Sequence, residues 1–162
     1  MIARAARFFA TPRGLLVVLV LRWIVAAVFL AAAIPKVLDP ASFATDIDNY
    51  RIVPDALIGP IAVALPLIET IVGLALLTGI YARGAAIVAS GMLVAFALGM
   101  IQAIARGIDL DCGCFGHMVE AQVSWLTVAR NVVLTVASLA ITLGPDLPLW
   151  PAMRPKELSR PS

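Results

Sequence analysis

The chain has 162 residues, of which 62% are apolar and only 14% charged, and its formal net charge at pH 7 is +2. A soluble domain averages about 45–50% apolar and about 25% charged residues, and disorder needs a composition poor in apolar residues, so an ordinary water-soluble enzyme and a disordered chain are both excluded. A net charge this small, with no basic cluster, excludes a nucleic-acid surface, and two cysteines are too few for a disulfide scaffold.

The mean hydropathy of +1.00 points to a membrane protein. A spanning helix needs roughly 20 mostly apolar residues, and four stretches qualify: 14–34, 56–80, 84–105 and 124–144. The runs are continuous rather than alternating, which favours helices over barrel strands. The expected fold is an all-α integral membrane four-helix bundle over residues 14–144. Residues 1–13 form an N-terminal segment, and the Pro-rich stretch 145–162 forms a tail with Trp150 as an interfacial anchor.

The first span holds a charge, Arg22. Arg4, Arg7 and Arg13, an apolar run and Ala31-Ala32-Ala33 together have the look of a cleavable leader, but Arg22 and the length of the run count against it. After this span come Lys36 and then Asp39-Pro40, the pattern of an N-cap followed by proline at the first helical position. Phe43, Ile47 and Tyr50 recur at helical spacing and Pro54 supplies a stop. This predicts a short amphipathic helix on the outer surface, its stripe against lipid or the bundle.

The second span carries Glu69, with Pro66 and Gly73 on the same face. The third carries Gly91, Ala95 and Gly99 at four-residue spacing, a face that lets a neighbour approach closely. The fourth carries Ser124, Thr127, Asn131, Thr135, Ser138 and Thr142 as one polar stripe, expected to turn inward, with Arg130 beside it.

Lys and Arg set the orientation. Arg4, Arg7, Arg13, Arg83, Arg154, Lys156 and Arg160 fall on one side with Asp146 and Glu157. Lys36, Arg51 and Arg106 fall on the other with Asp39, Asp46, Asp48, Asp55, Asp109, Asp111 and Glu120. Both termini are expected inside, and the 35–55 and 106–123 loops outside, in a bacterial periplasm. A charge in mid-bilayer faces the bundle and finds a partner, so Glu69 is expected to pair with Arg22 or Arg130, either to fix packing or as a proton or electron-carrier site.

The most informative stretch is Asp109-Leu110-Asp111-Cys112-Gly113-Cys114-Phe115-Gly116-His117, between the third and fourth spans. Glycine permits the turn that brings the two thiols together. A small strained ring is easily reduced, and disulfides persist outside the cytoplasm. His117 and Lys36 would favour thiolate; Asp109 and Asp111 would oppose it. Three readings stand: exchange chemistry at Cys112 and Cys114, a static disulfide, or soft-metal binding with His117, for which no complete four-ligand set is visible. A lone CxC is a weak signal; CGCFG joining two membrane helices is more specific.

From Arg22 to Asn131 the chain resembles the MauE family of methylamine utilisation, which belongs with the DoxX-like four-helix membrane proteins. The matching residues are Arg22, Lys36, Asp39-Pro40, Phe43, Tyr50, Pro66, Glu69, Gly73, the run from Asp111 through Cys112, Cys114 and Phe115 to Gly116, Trp125, and Arg130-Asn131. The resemblance implies a multi-pass inner-membrane protein that helps mature the disulfide-rich small subunit of methylamine dehydrogenase beside a thioredoxin-like partner. The architecture is also similar to DsbB-like and vitamin K epoxide reductase-like bundles, which pass electrons from thiols to quinone through more than one cysteine pair; this chain has one. The leading expectation is a thiol–disulfide accessory protein. Its alternatives are a non-catalytic assembly or export factor with a structural disulfide, and a quinone-linked oxidoreductase subunit with the quinone near Arg130 and Glu69. The expected partners are membrane lipid and a thioredoxin-like protein or client subunit, with no nucleic acid.

Overall fold

The computed structural model describes residues 11–107 and 125–144. They form five helices: α1 (Pro12–Leu38), α2 (Pro40–Asn49), α3 (Asp55–Thr78), α4 (Ala82–Ala105) and α5 (Trp125–Thr142). All but α2 are long and apolar enough to cross a membrane. The described residues are all helical, and the protein is a multi-pass membrane protein.

Helix boundaries follow from local chemistry. Thr11 caps α1 by accepting from the Gly14 N–H at 3.2 Å. The sequence places the end of this span at residue 34, yet α1 continues through Pro35 to Leu38. A proline costs one backbone hydrogen bond, and inside an apolar bundle that loss is smaller than unwinding a turn. Asp39 then ends one helix and starts the next. Its N–H donates to the Pro35 carbonyl at 3.0 Å, and its carboxylate accepts from the Ser42 N–H at 3.0 Å. With Pro40 at the first helical position, this is the N-terminus the sequence predicts. Pro60 and Pro66 likewise lie inside a continuous α3, and the Thr70 hydroxyl donates to the Pro66 carbonyl at 2.8 Å. α3 stops at Gly79, whose φ of 81° is left-handed and whose N–H returns to the Ala75 carbonyl.

α1 packs chiefly along α3 and α4 along α5, with α3–α4 and α1–α5 contacts closing the bundle. The α1–α3 approach depends on Gly73. A Cβ there would sit 2.7 Å from Leu30 Cγ and 3.4 Å from the Ala26 carbonyl oxygen. α2 presents Phe43 and Ile47 to Ala62 of α3, so its apolar stripe faces the bundle. On the third span the expected close-approach face meets little of the described chain, Gly99 alone coming near a neighbour, Ile52 Cδ1. Gly91 and Ala95 are exposed, and Ala82, Ala85, Ala86, Ala89 and Ala97 are buried instead. α4 has two faces of small residues, and only the one continuous with Leu93 and Met100 meets the core.

Around an apolar core, the outside is also apolar and several polar residues sit inside. Leu16, Ile24, Leu67, Ile71, Leu98, Leu126 and Val133 are exposed, whereas Arg22, Lys36, Glu69, Asn131 and Ser138 are buried. Apolar exposure on this scale marks a surface that meets lipid. The polar stripe of α5 turns inward as expected: Thr127, Asn131 and Ser138 are buried, and Thr135 and Thr142 partly so. Ser124 lies outside the described residues. Two of the hydroxyls also serve their own helix, Thr135 donating to the Asn131 carbonyl at 2.8 Å and Thr142 to that of Leu139 at 2.6 Å.

Candidate functional site

Cys112, Cys114, Asp111, Phe115 and His117 lie outside the described residues, in the connection between Gly107 and Trp125. The start of that connection is well defined. α4 ends at Arg106, whose N–H reaches the Gln102 and Ala103 carbonyls, and Gly107 follows with φ 63°. The Arg106 guanidinium lies 3.4 Å from the Tyr50 carbonyl oxygen and 3.5 Å from that of Arg51. One chain position before the cysteine segment is thereby tied to the turn between α2 and α3.

Beneath this turn lies the polar centre of the bundle. Lys36 projects from the last turn of α1 and is 4% exposed; Glu69 projects from α3 and is 1% exposed. Lys36 Nζ donates to Glu69 Oε1 at 2.5 Å, an ion pair as well as a hydrogen bond. The ammonium also lies 5.0 Å from the centre of the Phe43 ring and 5.5 Å from that of Phe96. Ring faces attract a cation most when it is desolvated, by about 2 kcal/mol.

This corrects the arginine pairing expected for Glu69. The sequence puts Lys36 in a loop beyond the first span, whereas the extension of α1 past Pro35 places it inside a helix and facing inward. Packing of α2 against the early turns of α3 sets Glu69 within reach of the end of α1. Arg22 lies on the same helix as Lys36 but about 21 Å away along its axis at 1.5 Å per residue. Two side chains do not bridge that separation. Arg22 is itself buried, 2% exposed, at the cytoplasmic half of the interior expected from charge bias.

Arg130 and Asn131 come from α5 to the same place. With Lys36, Glu69, Phe29 and Leu93 they line a cavity of about 30 Å³. Glu69 Oε2 and Asn131 Nδ2 are buried there with no hydrogen-bond partner among the described residues. The space is large enough for one water, which there could donate to the carboxylate oxygen and accept from the amide. Four sequence-predicted residues, Lys36, Glu69, Arg130 and Asn131, thus converge on one site. Arg22 stands apart from it. Phe96 belongs to the site and is not legible in the sequence, since a phenylalanine in an apolar span carries no signal of its own. Among the described residues no group of metal-ligating side chains is present.

Comparison with known proteins gives a consistent picture. Residues 15–144 match the family model described as methylamine utilisation protein MauE. The chain is 38% identical over 125 residues to the methylamine utilization protein MauE of Paracoccus denitrificans, covering 76% of this chain and 67% of that protein. It is 34% identical to the protein of that name from Methylorubrum extorquens, covering 80% and 69%, and 35% identical to the one from Paracoccus versutus, covering 83% and 70%. No solved structure matches the chain significantly.

Proposed function

Because the chain belongs to the MauE family, we propose that it is a membrane-embedded accessory of methylamine utilisation that exchanges disulfides through Cys112 and Cys114. The observation that carries this reading is the motif itself: two thiols one residue apart, in CGCFG, on the connection between two apolar helices at the acid-rich side of the bundle. His117, Asp111 and Phe115 surround the pair in sequence and set its reactivity. Both termini lie in the cytoplasm and the motif faces the periplasm. The intramembrane groups Arg22, Lys36, Glu69, Arg130 and Asn131 hold the helices that present it.

The chemistry balances without a further redox partner. A thioredoxin-like protein in its disulfide form is attacked by one cysteine thiolate of the chain, giving a mixed disulfide. The second cysteine attacks that bond, releasing the reduced partner and leaving Cys112–Cys114 oxidised. A client dithiol then attacks this bond by the same two steps, becomes a disulfide and restores the chain's thiols. Two electrons and two protons leave the client and end on the thioredoxin-like protein.

Thiol trapping in intact cells tests the scheme. Alkylation mass shifts should show both cysteines cycling between reduced and oxidised states, with single Cys114→Ser chains accumulating a mixed disulfide. Thiols that stay reduced and inert would overturn the scheme, as would thiols released only by a chelator, which would establish metal binding instead.

A further inference from the structure

A second cavity shares Lys36 and Phe96 with the first and lies among α1, α2, α3 and α4. It measures about 190 Å³ and is lined by Lys36, Phe43, Asp46, Tyr50, Phe96 and Gly99, among others. Ile52 and Ala95 also line it and are exposed on the apolar surface of the bundle, so it is entered from the lipid side. Its size has a physical reference: an engineered apolar cavity of about 150 Å³ binds benzene. The space fits one six-membered ring with small substituents. Three aromatic side chains, Phe43, Tyr50 and Phe96, supply flat surfaces against which a ring packs.

Charge narrows the ligand further. Lys36 is formally neutralised by Glu69, and Asp46, which carries the other formal charge among the described lining residues, repels an anion. A cation drawn in by Asp46 would meet the Lys36 ammonium, which already holds the Phe43 and Phe96 faces. What remains is a neutral molecule. An ammonium carries three donors, and Glu69 Oε1 takes one, leaving a donor for an oxygen at the cavity's inner end. We propose that this cavity is a binding site for a neutral, lipid-soluble, single-ring compound whose carbonyl oxygen accepts a hydrogen bond from Lys36. The site is independent of the cysteine chemistry and is tested without it.

Gly99 offers the discriminating variant. A Cβ there meets only Ile52 Cδ1, at 4.0 Å, so a larger side chain enters the cavity without striking backbone. Gly91 on the same helix has open space around its Cβ and does not line the cavity. The full chain in phospholipid nanodiscs is titrated with 4-fluoroacetophenone and followed by fluorine NMR. The wild type and Gly91→Leu should show equal, saturable binding. Gly99→Leu, checked to unfold at the same midpoint as Gly91→Leu, should bind at least ~10-fold more weakly because the ring's space is filled. Replacing the ketone by 4-fluoroethylbenzene should weaken binding about 10-fold, the worth of one hydrogen bond to a charged donor; 4-fluorobenzoate and 4-fluorobenzylamine should bind more weakly than the ketone. Equal binding to wild type and Gly99→Leu would overturn the proposal. So would a charged or oxygen-free ring that binds as tightly as the ketone, or the lack of saturable binding to the wild type.

Discussion

Removing one member of the Lys36–Glu69 pair leaves a buried charge with no counter-ion, a change that typically costs about 3–5 kcal/mol. The structure makes the two removals unequal. Lys36→Met strands a carboxylate whose second oxygen already lacks a protein hydrogen bond. Glu69→Leu strands an ammonium that keeps the Phe43 and Phe96 rings at 5.0 and 5.5 Å, which retains up to about 2 kcal/mol. Lys36→Met should therefore lie near the top of the range and Glu69→Leu roughly 1–2 kcal/mol lower. The double variant removes both charges and keeps apolar volume, so it should fall within about 1 kcal/mol of wild type. Unfolding of the full chain in mixed micelles with increasing dodecyl sulfate, followed by circular dichroism, gives all four corners of the cycle. The coupling energy implied by these figures is roughly 7–10 kcal/mol in magnitude, while the corresponding Arg22/Glu69 cycle should show less than about 0.5 kcal/mol, the limit for sites without shared contacts. A stronger Arg22/Glu69 coupling, or a Lys36/Glu69 coupling under about 0.5 kcal/mol, would refute the assignment of the pair.

Three further outcomes follow from particular contacts. Gly73→Ala places a methyl 2.7 Å from Leu30 Cγ and should destabilise the α1–α3 packing by about 1–3 kcal/mol in the same unfolding assay. Asp39→Ala removes the side-chain cap on the Ser42 N–H and should cost about 0.5–2 kcal/mol, with faster amide exchange confined to the first turn of α2. In a chain whose native cysteines are changed to serine, Arg106→Cys should react with a membrane-impermeant maleimide added outside intact cells, and Arg83→Cys only after the cells are opened; the reverse pattern would invert the proposed topology.

The bundle was legible because its signals are long and redundant. Each spanning run repeats one instruction over some twenty apolar residues, and the Asp39-Pro40 start of α2 combines a cap with a fixed φ. Charged and amide residues marked the polar centre, because Glu69, Arg130 and Asn131 are costly in lipid wherever they fall. Their partners were not legible. Which charge meets Glu69 depends on how far α1 continues past Pro35 and on the seating of α2 against α3, and both are tertiary results. Which small-residue face of α4 meets the bundle was not legible for a related reason. A row of small residues permits close packing, but α4 has a second such row through Ala82, Ala85, Ala86 and Ala89, and only the whole bundle selects between them. Phe96 carried no signal at all, since a ring becomes a cation's seat only once Lys36 is placed.

α2 and the turn after it link the polar centre to the end of α4, which the cysteine segment follows in the chain. In lipid, apolar burial gives little preference for one helix packing over another, so close contacts and polar links decide the arrangement. Two such links use α2 and the turn that follows it. Phe43 lies beside the Lys36 ammonium, and the carbonyls of Tyr50 and Arg51 lie by the guanidinium of Arg106, where α4 ends and the cysteine segment begins. Phe43→Ala removes the ring from Lys36 and the main apolar anchor of α2 on Ala62, a loss of about 3–5 kcal/mol for a buried phenylalanine. If α2 restrains the start of the cysteine segment, alkylation of Cys112 and Cys114 should speed up in Phe43→Ala chains that remain folded. It should stay at the wild-type rate in Gly73→Ala, which weakens the bundle elsewhere. Equal rates in all three proteins would show that α2 and the thiols are mechanically separate, and that Arg106 holds its turn without consequence for the motif.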